Sequence, residues 1–277
     1  MNTKLIKVLA LTAASTLALT ACAGGSKDNP AANDTQGDLV TLKVGASPTP
    51  HQEILEFVQE NLAADAGLNL EITPYTDYVQ PNVALDAGEL DANYFQHVPY
   101  VEEEVATKGY NFEWGSGVHI EPLGIYSTSY KSLDEVKDGD EIVVPNDATN
   151  EGRALKLLAA NGLITLDETV ENPTPADVTG NPKNLKFTES DAAAIPIQYA
   201  DAALGVINSN FAIENGIKPT EDSIAIESGE DNPYANILAW NKGSEKLDAI
   251  KKLDELLHSP EVAEFIASNY DGVIPAF

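Results

Sequence analysis

Cysteine is almost absent from this sequence, since Cys22 is the only one among 277 residues. A chain with a single thiol cannot close an intramolecular disulfide, so packing and hydrogen bonds have to hold the fold. Long apolar runs are absent as well. The most apolar stretch, from Val8 to Leu19, is too short for a bilayer core of about 30 Å, which takes roughly 20 apolar residues. That stretch is therefore not a transmembrane helix.

Basic residues are scarce. Lysine and arginine together number 16 against 44 acidic residues, which gives a formal net charge of −28. Phosphate backbones and anionic headgroups repel such a chain, so nucleic acid is excluded as a partner. The acidity does not predict disorder, because 43% of the residues are hydrophobic and recur in periodic blocks.

The N-terminus carries an export signal. Lys4 and Lys7 precede the short apolar run, and Leu19-Thr20-Ala21-Cys22 follows it, with small residues at the cleavage point. This pattern is that of a bacterial lipobox, in which the cysteine is lipidated. We therefore expect a signal peptide at 1–21, lipidation at Cys22 and a lipid anchor on the extracytoplasmic side of the cell membrane. Residues 22–38 are rich in Gly, Ser, Asn, Asp and Pro and predict a flexible tether.

From residue 39 onward, strand and helix patterns alternate, which predicts an α/β fold with largely parallel sheets. Strands are predicted at Val40–Gly45, Asn69–Tyr75, Ala92–Phe95, Glu141–Val144, Leu185–Phe187, Ala202–Ile207 and Asn236–Trp240. Helices are predicted at His51–Ala66, Val79–Ala87, Glu151–Ala160, Ser244–Leu257 and Pro260–Asn269. The length exceeds that of a usual single domain, roughly 100–150 residues, so we expect two lobes. Lobe one would comprise 39–124 and 235–277, and lobe two 125–234.

Arg153 is the only arginine in the chain. It follows a strand exit and a polar loop, with Asn150 as the expected N-cap of the helix that carries it. An arginine binds a carboxylate with two parallel hydrogen bonds and stays charged when buried. Two readings are open: a structural salt bridge with one of the many acids, or a clamp for a ligand carboxylate.

Aromatic and polar side chains cluster in Asp91-Ala92-Asn93-Tyr94-Phe95-Gln96-His97-Val98-Pro99-Tyr100. The block spans the end of a predicted strand and a helix start at Pro99. Open α/β sheets bind ligands beside the carboxyl ends of their strands. Aromatics are also common in cores, but this combination favours a pocket with apolar walls and polar tips.

These segments together resemble the methionine-binding lipoproteins of bacterial ABC importers. The matching pieces are the lipobox, Asp77–Asn82, Phe95–Tyr100, His119–Ser127, Pro145–Leu155, Val206–Asn208 and Pro233–Asn236. They run in order through nearly the whole mature chain, and the joint match is specific although each piece alone is weak.

The resemblance implies a two-lobed periplasmic-binding-protein fold, each lobe a mixed, largely parallel sheet flanked by helices. It implies a monomer without a cofactor that binds free methionine or a close relative and docks on an ABC permease and its ATPase. Arg153 would grip the α-carboxylate, and Asn208 and Asn236 would bind the ammonium and carboxylate. Tyr78, Phe95, His97 and Tyr100 would line the thioether pocket. A methionine-containing dipeptide or another amino acid is the alternative ligand.

Other classes of function find less support. The four histidines, His51, His97, His119 and His258, are scattered without close metal-ligand spacing, which argues against a metal-binding lipoprotein. The sequence has no G-x-S-x-G, H-E-x-x-H, P-loop or G-x-G-x-x-G motif, which argues against an enzyme. A structural or adhesive lipoprotein would not need a single arginine beside an aromatic block.

Overall fold

The computed structural model describes residues 39–277. In chain order the strands are β1 (Val40–Ala46), β2 (Leu68–Pro74), β3 (Ala92–His97), β4 (Phe112–Trp114), β5 (His119–Ile120), β6 (Gly124–Tyr126), β7 (Glu141–Pro145), β8 (Thr165–Leu166), β9 (Val178–Gly180), β10 (Lys186–Ser190), β11 (Leu204–Ile207), β12 (Ala225–Ile226), β13 (Ala235–Asn241) and β14 (Ile274–Pro275). The helices are α1 (Glu53–Asn61), α2 (Gln80–Asp86), α3 (Val98–Lys108), α4 (Ala148–Ala160), α5 (Ile195–Gln198), α6 (Ser209–Glu214), α7 (Pro219–Asp222), α8 (Leu247–Leu257) and α9 (Pro260–Asn269). The predicted signal peptide at 1–21 and the whole predicted tether at 22–38, including Cys22, lie outside the described residues.

The first sheet joins the two ends of the described chain. Its strand order is β14-β5-β13-β3-β1-β2, and β4 also pairs with β13. β1 is parallel to β2 and β3, whereas the pairings of β13 and β14 are antiparallel. Leu42 and Val44 of β1 pack against Ile54 of α1, Ile250 of α8 and Ile266 of α9 on one face of the sheet. The C-terminal helices thus cover strands that lie near the start of the chain.

The second sheet is built from a continuous stretch of chain. Its order is β10-β7-β11-β6-β12, with β7 parallel to β10 and β11 and with β6 antiparallel to β11 and β12. Ile142 and Val206 pack against Leu155 and Leu158 of α4 on one face. Val143 packs with Ile195 and Phe211 on the other. Both sheets are mixed and flanked by helices, as predicted. The expectation that they are largely parallel is wrong, because four of the six strand pairings in the first sheet and two of the four in the second are antiparallel.

The chain passes between the two sheets twice, through residues 121–123 after β5 and residues 227–234 after β12. The division into two lobes, one with 39–124 and 235–277 and the other with 125–234, stays a prediction.

Two local predictions are wrong. The helix expected at His51–Ala66 ends at Asn61, because the amides of Leu62 and Ala63 both donate to the Val58 carbonyl and turn the chain toward Gly67, which has φ of 75°. Only glycine adopts that left-handed conformation without steric cost.

The other concerns α4. Its N-cap is Asp147 and not Asn150, because the Asp147 carboxylate accepts from the Asn150 amide at 2.9 Å. Asn150 is therefore helical, and Arg153 lies in the second turn instead of the first. No helix among residues 39–277 is long and apolar enough to cross a membrane.

Candidate functional site

A small cavity lies where elements of the two sheets meet. The residues that line it are Tyr78, Phe95, Gln96, His97, Tyr100, Glu121, Asn150, Arg153, Asn208, Ser209, Asn210 and Asn236. All seven residues predicted as ligand-binding are among them. Their contact with a ligand stays a prediction.

The carboxyl end of β3 supplies one wall. β3 is buried along its whole length and ends at His97, which caps α3 by accepting the Tyr100 amide on Nδ1 at 3.1 Å. That bond leaves Nε2 as the protonated nitrogen, 3.1 Å from Asn150 Oδ1. Burial, together with the nearby Arg153, lowers the pKa of His97 to about 3, so the ring is neutral at physiological pH.

Three aromatic rings form the apolar side of the cavity. The ring centroids of Tyr78, Phe95 and Tyr100 lie 6.0 Å from one another. The Tyr78 hydroxyl donates to Asn210 Oδ1 at 2.6 Å, and the Tyr100 hydroxyl donates to the Tyr78 carbonyl at 3.0 Å. Because the hydroxyls are held by these bonds, the ring faces and edges are left for an apolar ligand group.

Arg153 fulfils part of each reading derived from the sequence. Its Nε lies 2.9 and 3.1 Å from the Glu227 carboxylate oxygens, and its Nη2 donates to Glu227 Oε2 at 2.6 Å and to the Glu121 carbonyl at 2.8 Å. The guanidinium also lies over the Tyr234 ring, 4.2 Å from the centroid. Within residues 39–277 no acceptor is paired with Nη1. The guanidinium is therefore a structural ion pair on one edge and an available donor on the other.

Two amide atoms in the wall have no partner. Asn208 donates through Nδ2 to Asn150 Oδ1 at 3.0 Å, but its own Oδ1 is buried and unpaired among the described residues. Asn210 accepts from Tyr78, and its Nδ2 is likewise buried and unpaired. A buried polar group without a hydrogen bond costs about 1–3 kcal/mol. The cavity therefore favours a ligand that offers both a donor and an acceptor.

Glu121, which lines the cavity, forms a cluster with His51 and His119, which do not line it. Both imidazole Nε2 atoms face Glu121 Oε1, at 3.4 Å from His51 and 2.6 Å from His119. His51 Nε2 also pairs with Asn236 Oδ1 at 3.0 Å, and the Tyr94 hydroxyl pairs with His119 Nδ1. The ligating atoms lie within 4.8 Å of one another, so this group could hold a transition metal of the kind that two imidazoles and a carboxylate suit.

The sequence argument that the histidines lack close ligand spacing is therefore wrong in its premise. His119 and Glu121 stand two residues apart at the end of β5, and alternate residues of an extended chain point to the same side. This spacing could have indicated from the sequence that the His119 and Glu121 side chains lie next to each other. Nothing in the sequence indicated that His51, from the turn before α1, would join them.

Glu151 is a second buried acid beside the site, on α4 between Asn150 and Arg153. Burial, and then Glu189 beside it, raise the pKa of Glu151 from 4.5 to about 7, with Asp147 and Asp177 adding to the repulsion. Between pH 4.5 and 7 the folded protein holds a proton here that the unfolded chain has released. The contribution of Glu151 to the free energy of unfolding is therefore fully present below about pH 4.5 and is lost as the pH rises through 7.

Replacing Glu151 with glutamine should reduce the loss of folding stability that accompanies rising pH. We expect the free energy of unfolding of Glu151→Gln to fall less between pH 5 and 7.5 than that of the wild type, as measured by denaturant titration at several pH values. Glu168→Gln, at an exposed position, serves as the control and should follow the wild type. An unchanged pH slope in Glu151→Gln would show that the proton is held elsewhere.

The chain is similar to known proteins over nearly its full length. The family model described as NlpA lipoprotein matches residues 42–277. The methionine-binding lipoprotein MetQ of Bacillus subtilis is 42% identical over 249 residues, which cover 87% of this chain and 90% of that protein. The D-methionine-binding lipoprotein MetQ of Escherichia coli is 38% identical, with coverage of 83% and 86%.

Solved structures show the same likeness. A nutrient-binding protein from Burkholderia cenocepacia, solved bound to methionine, is 40% identical with a TM-score of 0.82 and covers 85% of this chain and 100% of its own. The crystal structure of the methionine-binding protein MetQ is 37% identical with a TM-score of 0.82, covering 86% and 98%. The predicted fold class and the predicted family resemblance are confirmed.

Proposed function

The chain belongs to the NlpA lipoprotein family, and from that premise we propose that it is the substrate-binding lipoprotein of an ABC importer and captures free methionine. The observation that carries the proposal is the make-up of one cavity. Among the described residues, a guanidinium with a free Nη1 and two amide side chains with an unpaired atom line the same cavity as three aromatic rings. A zwitterion with an apolar, flexible tail satisfies both sides of such a site.

In this proposal the ligand carboxylate lies between Arg153 Nη1 and the Asn210 amide, with the ammonium toward Asn208 and Asn236. The thioether lies against Tyr78, Phe95, His97 and Tyr100. Each sulfur–aromatic contact contributes about 0.3–1.5 kcal/mol, so several rings around one sulfur select it over a shorter side chain.

The two sheets would act as lobes that close on the ligand, lobe one with 39–124 and 235–277 and lobe two with 125–234. Supporting this, the walls of the cavity are joined across the sheets by hydrogen bonds from Tyr78 to Asn210 and between His97 and Asn150. A ligand that contacts both walls binds the closed form more tightly and shifts the population toward it.

We also propose that Cys22 carries the lipid anchor and holds the protein on the extracytoplasmic side of the cell membrane. The closed monomer would deliver methionine to a permease driven by an ATPase. The role is binding and delivery, without a chemical step.

Native mass spectrometry of the protein that begins after Cys22 tests the proposal, followed by calorimetry against the twenty amino acids and Gly-Met. We expect retained mass equal to methionine, or a selective methionine isotherm after the ligand is removed. A retained dipeptide would keep the transport role and change the ligand. Folded protein that binds none of these compounds would overturn the proposal.

A further inference from the structure

Glu121 is a buried carboxylate in the wall of the cavity, at the first passage between the sheets. Only 6% of its surface is exposed. Oε1 accepts from His119 Nε2 at 2.6 Å, and Oε2 accepts from the Asn210 backbone amide at 3.0 Å. A carboxylate offers about four acceptor positions, so both oxygens keep capacity for a further donor.

The partners of Glu121 suit its ionised form. The His119 Nε2 and the Asn210 backbone N–H both donate to its carboxylate oxygens, and such bonds stabilise a carboxylate over the protonated acid.

The guanidinium nearest Glu121 is engaged elsewhere. Arg153 directs Nε and Nη2 to Glu227 and reaches Glu121 only at its backbone carbonyl. No lysine or arginine in residues 39–277 donates to the Glu121 carboxylate. A buried carboxylate without such a partner is costly, and a cationic group of a ligand would stabilise it.

The surroundings suit one kind of cation. Asn208 lines the same cavity, and its Oδ1 is buried and has no partner among residues 39–277. An α-ammonium has three N–H donors, which need several acceptors from different directions. A carboxylate and an amide oxygen on the same wall meet that need, whereas an amide nitrogen in a peptide bond has a single N–H and no charge.

We propose that Glu121, held in place by His119 and the Asn210 amide, is the counter-ion of the ligand's ammonium and makes the site selective for ligands with a free α-amine. This inference rests on the proposed function, because it assigns the amine end of the ligand captured in the same cavity. It also gives a role to His51 and His119, which position the Glu121 carboxylate and do not themselves touch the ligand.

Selectivity between two ligands tests the inference. Calorimetry would compare L-methionine with desamino-methionine, the same molecule without its amine, in wild type, Glu121→Gln and Glu121→Asp. We expect the wild type to prefer methionine by about 100-fold or more, since loss of one partner from a buried charged pair has an effect of that order. Glu121→Gln should cut the preference to below about tenfold, chiefly by weakening methionine binding, and Glu121→Asp should retain most of it.

Glu113→Gln is the control, at a partly exposed acid on β4 outside the cavity, and should keep the wild-type preference. Equal loss of affinity for both ligands in Glu121→Gln would make Glu121 a purely structural residue and overturn the inference. So would an unchanged preference. In both cases wild-type methionine binding leaves the proposed function standing. A wild type that binds neither ligand would overturn the proposed function and the inference with it.

Discussion

Arg153→Lys should weaken methionine binding by about 30-fold or more, although it preserves the charge. Removing one partner of a buried hydrogen-bonded charge pair costs about 2–5 kcal/mol. The guanidinium donates to Glu227 and to the Glu121 carbonyl while Nη1 stays available, and a single ammonium cannot satisfy all three directions at once. Calorimetry with methionine measures the loss.

Lys156→Arg provides the matched control on the same helix. Lys156 is exposed and directed to the Glu171 carbonyl, so the reverse substitution should leave affinity unchanged. Glu227→Gln separates the two roles of the arginine, because it weakens the structural pair and leaves the guanidinium in place. Wild-type affinity in Arg153→Lys would remove Arg153 from the ligand site.

Phe95→Ala should reduce affinity for methionine by about 30-fold while it reduces affinity for alanine or serine less than about threefold. The ring forms the apolar side of the cavity with Tyr78 and Tyr100, and its loss removes both buried apolar surface and a sulfur–aromatic contact. Alanine and serine do not extend to that wall. Competition calorimetry across the three amino acids gives the ratio.

Phe95 is also buried, and truncation of a buried Phe costs about 3–5 kcal/mol of folding stability. Phe112→Ala is therefore the fair comparison. Phe112 is likewise a buried phenylalanine on a strand of the first sheet but does not line the cavity. We expect a similar loss of thermal stability in both variants and a changed ligand ratio only in Phe95→Ala. A uniform loss across all three ligands would mean that Phe95 supports the fold and not the thioether.

Much of this site could be predicted from the sequence, because several of its residues are close together in the chain. Phe95, His97 and Tyr100 lie within one strand-to-helix junction, so a single segment contains both the residues and the geometry that brings them together. Arg153 could be singled out because it is the only arginine. The alternation of strands and helices likewise predicted the mixed α/β layers.

The rest depended on contacts between distant segments. Glu227, in the second passage between the sheets, forms the ion pair with Arg153. His51, in the turn before α1, contacts Glu121. In a chain with 44 acids, no pattern distinguishes Glu227 from its neighbours. The N-cap of α4 was assigned wrongly for a smaller reason. Asp147 and Asn150 are both good capping residues, and only the observed bond decides between them.

The connectivity of the first sheet sets the order in which this protein can acquire its structure. β3 finds its antiparallel neighbour in β13, and the core on β1 is closed by α8 and α9, all from the C-terminal end of the chain. The second sheet uses only residues from 124 to 226, so its strands can pair as soon as that stretch emerges. Contacts between distant segments form slowly because long loops must close first. One edge of β3 therefore remains unpaired until the C-terminal part of the chain has been synthesised. Pairing with β13 then covers that edge.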